Sequence, residues 1–315
     1  MKVSVILCSR NRREHLEATL ESLRAVRVSE SKKAELVLVD SASEDDTYEA
    51  MCRYMHPDMD KVVIRLNRKG LGYARNKGKE VARGRVLVFT DDDIRFPTNW
   101  LDAISDPILK GEADAVQGGV VIPESLQPFW LTSRLRSVLA STERMDPAKP
   151  ERLVGANMAI SREVFNTIPA FDEELGAGGK YGSGEETLFS KQMLATGFRI
   201  KMVSDCTVEH HFDVKRLSRE AWMGIAKAQG RSSAYINYHW EHKDYPLHKL
   251  VAGLIYYRML LLKKIITAKR KGKWSEDVMP EWEFLLRRKI YRMLQYVEER
   301  GSSRKYARCG CVKVR

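Results

Sequence analysis

The sequence is poor in cysteine. Five in 315 residues is a low, odd count that makes no disulfide framework and suits a reducing compartment. Cys309 and Cys311 form a lone Cys-x-Cys in the basic tail RCGCVKVR, read as a frayed terminus rather than a metal centre. Long hydrophobic runs are missing too. The start, MKVSVILCSRNRR, has an apolar run of only a few residues, with Arg10, Arg12 and Arg13 close behind it, so it is not read as a signal peptide. The most apolar later stretch, LVAGLIYYRMLLLKKII (250–266), is broken by Arg258, Lys263 and Lys264 and falls short of a membrane span. There is no internal repeat and no low-complexity linker. What is present is an ordinary globular composition, 43% hydrophobic and 30% charged, enough for a sizeable core in about two domains.

The net charge of +12 is unevenly spread. Residues 213–315 hold 24 Lys and Arg against 10 Asp and Glu, whereas residues 1–212 hold 30 against 32. The basic character therefore belongs to the last third, which points to an acidic partner there: a membrane surface, an acidic acceptor or nucleic acid.

The first 90 residues alternate between two patterns. Strands are predicted at VSVILC (3–8), ELVLVD (35–40), KVVIRL (61–66) and RVLVFT (85–90), all short and rich in β-branched residues. Between them, helices are predicted over 13–26, 43–55 and 71–83. The second is signalled by Ser43 with Asp46 three residues on, and the third is closed by Gly84. This order implies an α/β fold with a mostly parallel sheet and helices on both faces. Further on, a helix is expected over 100–109, strands over 114–122, 154–160, 198–203 and 207–211, and a helix over 185–196. A five-glycine loop, FDEELGAGGKYGSGE (171–185), is expected to be flexible. After Phe212 the pattern is wholly helical.

In such sheets ligands bind beyond the carboxyl ends of the strands. Ser9-Arg10-Asn11, Asp40-Ser41 and Asp91-Asp92-Asp93 occupy three of those ends and are expected to converge on one crevice. Three adjacent carboxylates repel one another unless a cation neutralises them, and their oxygens suit Mg or Mn; a solvated acidic turn explains them equally well. Asp40 is either a turn aspartate or a carboxylate accepting from a nucleobase or ribose. Glu185 and Glu186 open a helix, where acids complement its dipole; either could also serve as a general base behind a loop able to close. His210 and His211 end a strand and point to opposite faces. They read as a surface pair, or as one ligand of a metal held with a distant aspartate.

Taken in order, VSVILCSRNRREHLEATLESL, LVLVDSASEDDT, GLGYARNKGKEVARGRVLVFTDDD, GANMAISREVF with PAFDEELG, and GEETLFSKQMLATGFRI followed by VEHH resemble family 2 glycosyltransferases of the GT-A fold. The resemblance covers about two thirds of the chain, residues 2–212. It implies that Asp40 reads the nucleotide base, that Asp91 faces the ribose and that Asp93 holds a Mn or Mg ion. Asp92 takes the variable middle position of the Asp-x-Asp, and Arg75 lies on the nucleotide side. Glu186 matches the catalytic base, with Glu185 beside it contacting acceptor or donor and exchangeable with it in that role. His210, with His211 as its alternate, matches the late histidine near the metal. The family often has Pro or Thr and then an aromatic after strand one; here Cys8, Ser9 and Arg10 stand there, and Arg10 is placed against base or phosphate. The base is Glu where Asp is commoner.

The resemblance implies an inverting, single-displacement transfer of a sugar from a nucleotide diphosphate sugar, UDP-linked in the commonest case, to a hydroxyl of a glycan or lipid-linked acceptor of the cell envelope. Residues 1–212 would be the catalytic domain, with 1–97 the nucleotide half and 98–212 the acceptor half. Residues 213–315 would be a basic helical extension whose 250–273 segment either packs on the catalytic domain or rests on an anionic membrane. The expected location is the cytoplasm, with a peripheral place on the inner face of the cell membrane as the further option. A sugar nucleotidyltransferase is the alternative, disfavoured because SRNRREHL lacks the glycines of a phosphate loop. A nucleic-acid binder is disfavoured by the absence of any recognised motif.

Overall fold

The computed structural model describes residues 1–29 and 32–314; Arg315, the last residue of the predicted extension, lies outside them. The chain divides into two compact units. The first holds Met1–Gln127, Ser133–Gly179 and Glu185–His211, and the second holds Pro128–Thr132, Lys180–Gly184 and the chain from Phe212 on.

The first unit is built on one eight-stranded sheet. Its elements follow in the order β1 (Val3–Ser9), α1 (Arg13–Arg24), β2 (Ala34–Asp40), α2 (Thr47–Arg53), β3 (Met59–Arg65), α3 (Leu71–Val81), β4 (Val86–Thr90), β5 (Ile94–Arg95), α4 (Trp100–Leu109), β6 (Ala115–Val121), α5 (Ser133–Val138), β7 (Asn157–Ser161), α6 (Val164–Thr167), α7 (Glu185–Ala195) and β8 (Ile200–His210). The strand order is β3-β2-β1-β4-β7-β6-β8-β5. The first four strands are mutually parallel, and β7 runs antiparallel between β4 and β6. The mostly parallel α/β sheet expected from the alternation is therefore present. Every residue of β1, β2 and β4 is buried, as strands covered on both faces must be. Leu16, Leu20 and Leu23 form the buried stripe of α1 that their spacing predicts.

Several boundaries differ from the sequence reading. The second helix starts at Thr47 rather than Ser43. The residues before it bond instead to the turn after β1: Ser43 Oγ accepts from Asn11 N, and Asn11 Oδ1 accepts from Glu44 N. Gly84 is not a helix cap, because α3 ends at Val81 and Ala82 is already extended. A Cβ on Gly84 would stand 2.5 Å from Ser4 N, so the glycine is required for close approach to β1. The two short strands expected over 198–211 form one strand, β8. Its pairing with β6 shifts register between Gly118 and Val120, and Thr207 Oγ1 donates to Ser204 O across the irregular stretch.

The second unit is helical: α8 (Arg219–Tyr235), a π-helical turn at Ile236–Trp240, α9 (Leu247–Arg270) and α10 (Glu281–Glu299). An isolated bridge pairs Tyr306 with Lys313, a departure from the wholly helical expectation. The stretch Lys180–Gly184 from the glycine-rich loop belongs here, tied down by Tyr181, whose hydroxyl donates to Glu299 Oε1 at 2.6 Å. His239 Nε2 lies 3.0 Å from Glu299 Oε2, and Gln295 Nε2 donates to Oε1.

Burial alone would raise the Glu299 pKa, but the bonds from His239, Tyr181 and Gln295 draw it down to about 2 from an ordinary 4.5. A depressed carboxylate stabilises the fold above its unfolded pKa, and that contribution fades as pH falls from 4.5 toward 2. Glu299→Gln is expected to cost about 1.5–3 kcal/mol near neutrality. In thermal melts run from pH 7 to 2.5, its deficit against wild type should hold steady down to pH 4.5 and close below it.

Candidate active site

The carboxyl ends of β2, β1 and β4 lie side by side, with Ser9 registered against Asp40 and Leu7 against Thr90. The expected crevice therefore forms from adjacent strands. Asp40 is wholly buried at its floor, accepting from Ser43 N at 3.3 and 3.4 Å, with Arg65 Nε 3.4 Å away. Cys8 is buried as well. Burial pushes its thiol up to about 12, Arg75 pulling the other way and Asp91 and Asp92 adding to the rise, so it is no nucleophile at neutral pH. Arg10 lies at the rim, donating to Ala42 O at 3.3 Å and 3.5 Å from Glu44.

The three aspartates face three ways. Asp91 is part-exposed and pairs with Arg75 Nη2 at 3.1 Å. Asp92 turns inward, accepting from Ser9 Oγ at 2.5 Å, with Arg12 Nη1 3.3 Å away. Burial drives its pKa up to about 7, Arg12 offsetting and Asp93 adding to the shift. Asp93 is buried; Arg12 Nη2 donates to its Oδ2 at 2.7 Å, and its Oδ1 is 3.2 Å from His210 Nε2.

The short β5 explains that last contact. It pairs antiparallel with β8 in the register Ile94↔His210, which carries a residue more than a hundred positions downstream to the aspartate cluster. His210 is the buried histidine. His211 turns away and lies 2.8 Å from Glu209.

Arg75 joins the two acidic motifs. From α3 its Nη1 reaches Glu185 Oε1 at 2.8 Å while Nη2 holds Asp91. A Cβ on Gly155 would fall 2.1 Å from its guanidinium, and one on Gly176 2.9 Å from the Glu185 carboxyl carbon, so two glycines leave room for the pair. Burial would lower the Arg75 pKa, but Glu185, Asp91 and Glu186 hold it above its ordinary value. Glu185 is fully buried, and burial together with the Glu186 charge raises its pKa well above the usual carboxylate range against the pull of Arg75. Glu186 is the more accessible of the two.

The sequence reading assigned no role to Arg12. Its signal was present, because three adjacent acids need a counter-charge and Arg12 follows the neighbouring strand end.

No group of three or more His, Cys, Asp or Glu side chains able to hold a metal occurs among the described residues. Asp93 and His210 nevertheless fit a divalent ion. His210 Nδ1 lies 2.8 Å from the Leu139 carbonyl, which only accepts, so Nδ1 carries the proton. Its other ring nitrogen, Nε2, faces Asp93 Oδ1 at 3.2 Å. A histidine that donates its other N–H to a backbone carbonyl has the usual bearing of a metal ligand. Mg and Mn sites commonly use one or two side chains and complete themselves with substrate phosphates and water.

Residues 4–168 match the model of the family described as Glycosyl transferase family 2, and the chain belongs to that family, making it a glycosyltransferase. It is 25% identical over 242 residues to a glucosyl-dolichyl phosphate glucuronosyltransferase of Haloferax volcanii, covering 72% of this chain and 76% of that one. In fold it is similar to a mannosyltransferase of Pyrobaculum calidifontis solved with GDP-Man and Mn2+, at TM-score 0.62 and 17% identity over 95% of this chain and 88% of the other. It is also similar in fold to TarS of S. aureus bound to UDP-GlcNAc, at TM-score 0.51 and 22% identity over 75% and 67%.

Breaking a buried ion pair from one side leaves an uncompensated charge and typically costs about 3–5 kcal/mol. Arg75→Met is therefore expected to lower the unfolding free energy by about that amount, read from denaturant midpoints. Arg75→Lys, which cannot span both carboxylates, should recover only part of it.

Proposed function

We propose that this glycosyltransferase moves a sugar from a nucleotide diphosphate sugar, UDP-linked as first choice, to a hydroxyl of a glycan or lipid-linked acceptor, with inversion at the anomeric carbon. The observation that carries the reading is Arg75. It ties Asp91 of the Asp-x-Asp to Glu185 at the start of α7, so that the donor-side acids and the Glu185–Glu186 pair share one site. The Haloferax volcanii relative is named for a dolichyl phosphate acceptor, which favours a lipid-linked one here. In this reading residues 1–97 hold the nucleotide, 98–212 receive the acceptor and 213–315 form the extension.

Asp40, at the end of β2, accepts from the base, and Arg10 and Cys8 border the same pocket. Asp91 faces the ribose, while Asp92 braces the turn through Ser9 and Arg12. A Mn or Mg ion held by Asp93 and His210 would supply Lewis-acid stabilisation of the diphosphate leaving group. Glu186 is the base: its carboxylate takes the proton from the acceptor hydroxyl as that oxygen attacks the anomeric carbon. Glu185 is buried and held by Arg75 at 2.8 Å, so it fixes the start of α7 rather than removing the proton. General-base removal costs about 10²–10⁴-fold in rate. Glu186→Gln should lose that much in kcat while keeping the wild-type thermal shift with UDP and Mn2+. Full turnover in the variant would refute the assignment.

The extension is proposed to rest on an anionic membrane. No helix among the described residues is long and apolar enough to cross one. On α9, Val251, Ile255, Met259, Leu262 and Ile266 are all exposed at helical spacing, and Lys263, Lys264, Lys269 and Arg270 accompany them. An apolar stripe with flanking bases suits the interface between headgroups and acyl chains. In liposome flotation, vesicles carrying anionic lipid should bring the protein up at low salt and less of it at high salt. Absence of flotation in both would remove the membrane contact.

A further inference from the structure

We propose that Arg12 is an exchangeable counter-ion that couples divalent-cation binding to the diphosphate of the donor. The inference rests on the reading of Asp93 and His210 as cation ligands and adds to it a residue that touches no part of that ligand pair except the Asp93 carboxylate.

Arg12 occupies the turn between β1 and α1. One guanidinium nitrogen is 3.3 Å from Asp92 Oδ1 and the other 2.7 Å from Asp93 Oδ2. Both aspartates are buried, and Arg12 pairs with each of them, so removing it would leave two adjacent carboxylates out of water short of that counter-charge, a costly state. The other oxygen of Asp93 faces His210. A divalent ion on Asp93 and His210 would thus share one small carboxylate with a guanidinium, and two cations on the same acid repel.

The side chain has room to yield. It is 29% exposed, while its backbone is fixed by Arg12 N donating to Thr47 Oγ1 at 3.0 Å. The base of the residue is anchored, while its side chain is part-exposed. Arg75, the other guanidinium of the site, is 3% exposed between Asp91 and Glu185 and lacks this freedom.

Entry of the cation therefore releases Arg12, and a released guanidinium needs an anion. The anion that arrives with the cation is the diphosphate, which a guanidinium fork binds in two-pronged fashion. Each ligand then favours the other beyond the direct contact between metal and phosphate, which is a coupling free energy between two sites. Arg12 neutralises the acids when the site is empty and the leaving group when it is full.

The test is the affinity for Mn2+, read from the paramagnetic resonance signal of free Mn2+, with and without UDP or GDP, after allowing for Mn–nucleotide complexes in solution. In wild type, one of the nucleotides should tighten Mn2+ binding at least tenfold. In Arg12→Gln, Mn2+ alone should bind at least fivefold tighter than in wild type, and the nucleotide effect should shrink at least fivefold. Arg12→Lys keeps a charge without the fork and should fall between; it decides the matter if the Gln variant does not fold, and coupling equal to wild type would then count against the proposal. Unchanged Mn2+ affinity without nucleotide, or unchanged coupling, in Arg12→Gln overturns the role of Arg12 and leaves the metal reading intact. Failure of wild type to bind Mn2+ with either nucleotide overturns both.

Discussion

Carboxylates held out of water are the constraint around which this site is arranged. Asp92, Asp93 and Glu185 are buried and Asp91 is part-exposed, the aspartates just past the end of β4 and Glu185 at the start of α7. Acids so placed ionise only if cations stand among them. Two guanidiniums serve: Arg12 across Asp92 and Asp93, and Arg75 across Asp91 and Glu185. Much of the local backbone follows from seating them. Gly155 and Gly176 stand where any side chain would collide with Arg75 or Glu185, and the turn after β1 is fastened to the segment before α2 so that Arg12 starts from a fixed point.

The sheet supplies the rest of the geometry. Three adjacent parallel strands, β1, β2 and β4, bring Ser9, Asp40 and the aspartates to one edge, as a doubly covered parallel sheet does by construction. The antiparallel insertion of β7 beside β4, and the two-residue β5 against β8, then fold the later half of the chain back to that edge. His210 reaches Asp93 by this route alone. Asp91, the Glu185 end of α7 and His210, far apart along the chain, are thus brought to the same crevice. Pairings at such separation cost loop-closure entropy, which the continuous apolar core beneath the sheet offsets.

The second unit obeys a different logic. It gathers a buried hydrogen-bonded cluster, Tyr181, His239 and Gln295 around Glu299 of α10. Its longest helix, α9, buries a single residue, Leu250. The glycine-rich segment, which on composition alone reads as a free loop, contributes Lys180–Gly184 to this unit. Glycine there reflects backbone geometry, with Gly182 and Gly184 at φ of +79 and +96 degrees, which favours glycine.

By itself the sequence determined most of the strands and helices and which acids stand at strand ends, because these follow from local periodicity and from adjacency along the chain, but it missed β5 and split β8 in two. It named Asp91, Asp92, Asp93, Glu185, Glu186 and His210 as a set through their order. It misplaced the start of α2 and the purpose of Gly84, since both depend on contacts with β1 that no local pattern encodes. Only the tertiary structure decided which histidine faces the aspartates, which glutamate Arg75 holds and that Arg12 balances the cluster. Those choices are electrostatic: a charge is assigned a partner by what lies within a few ångströms, and strand register, not sequence spacing, sets that distance.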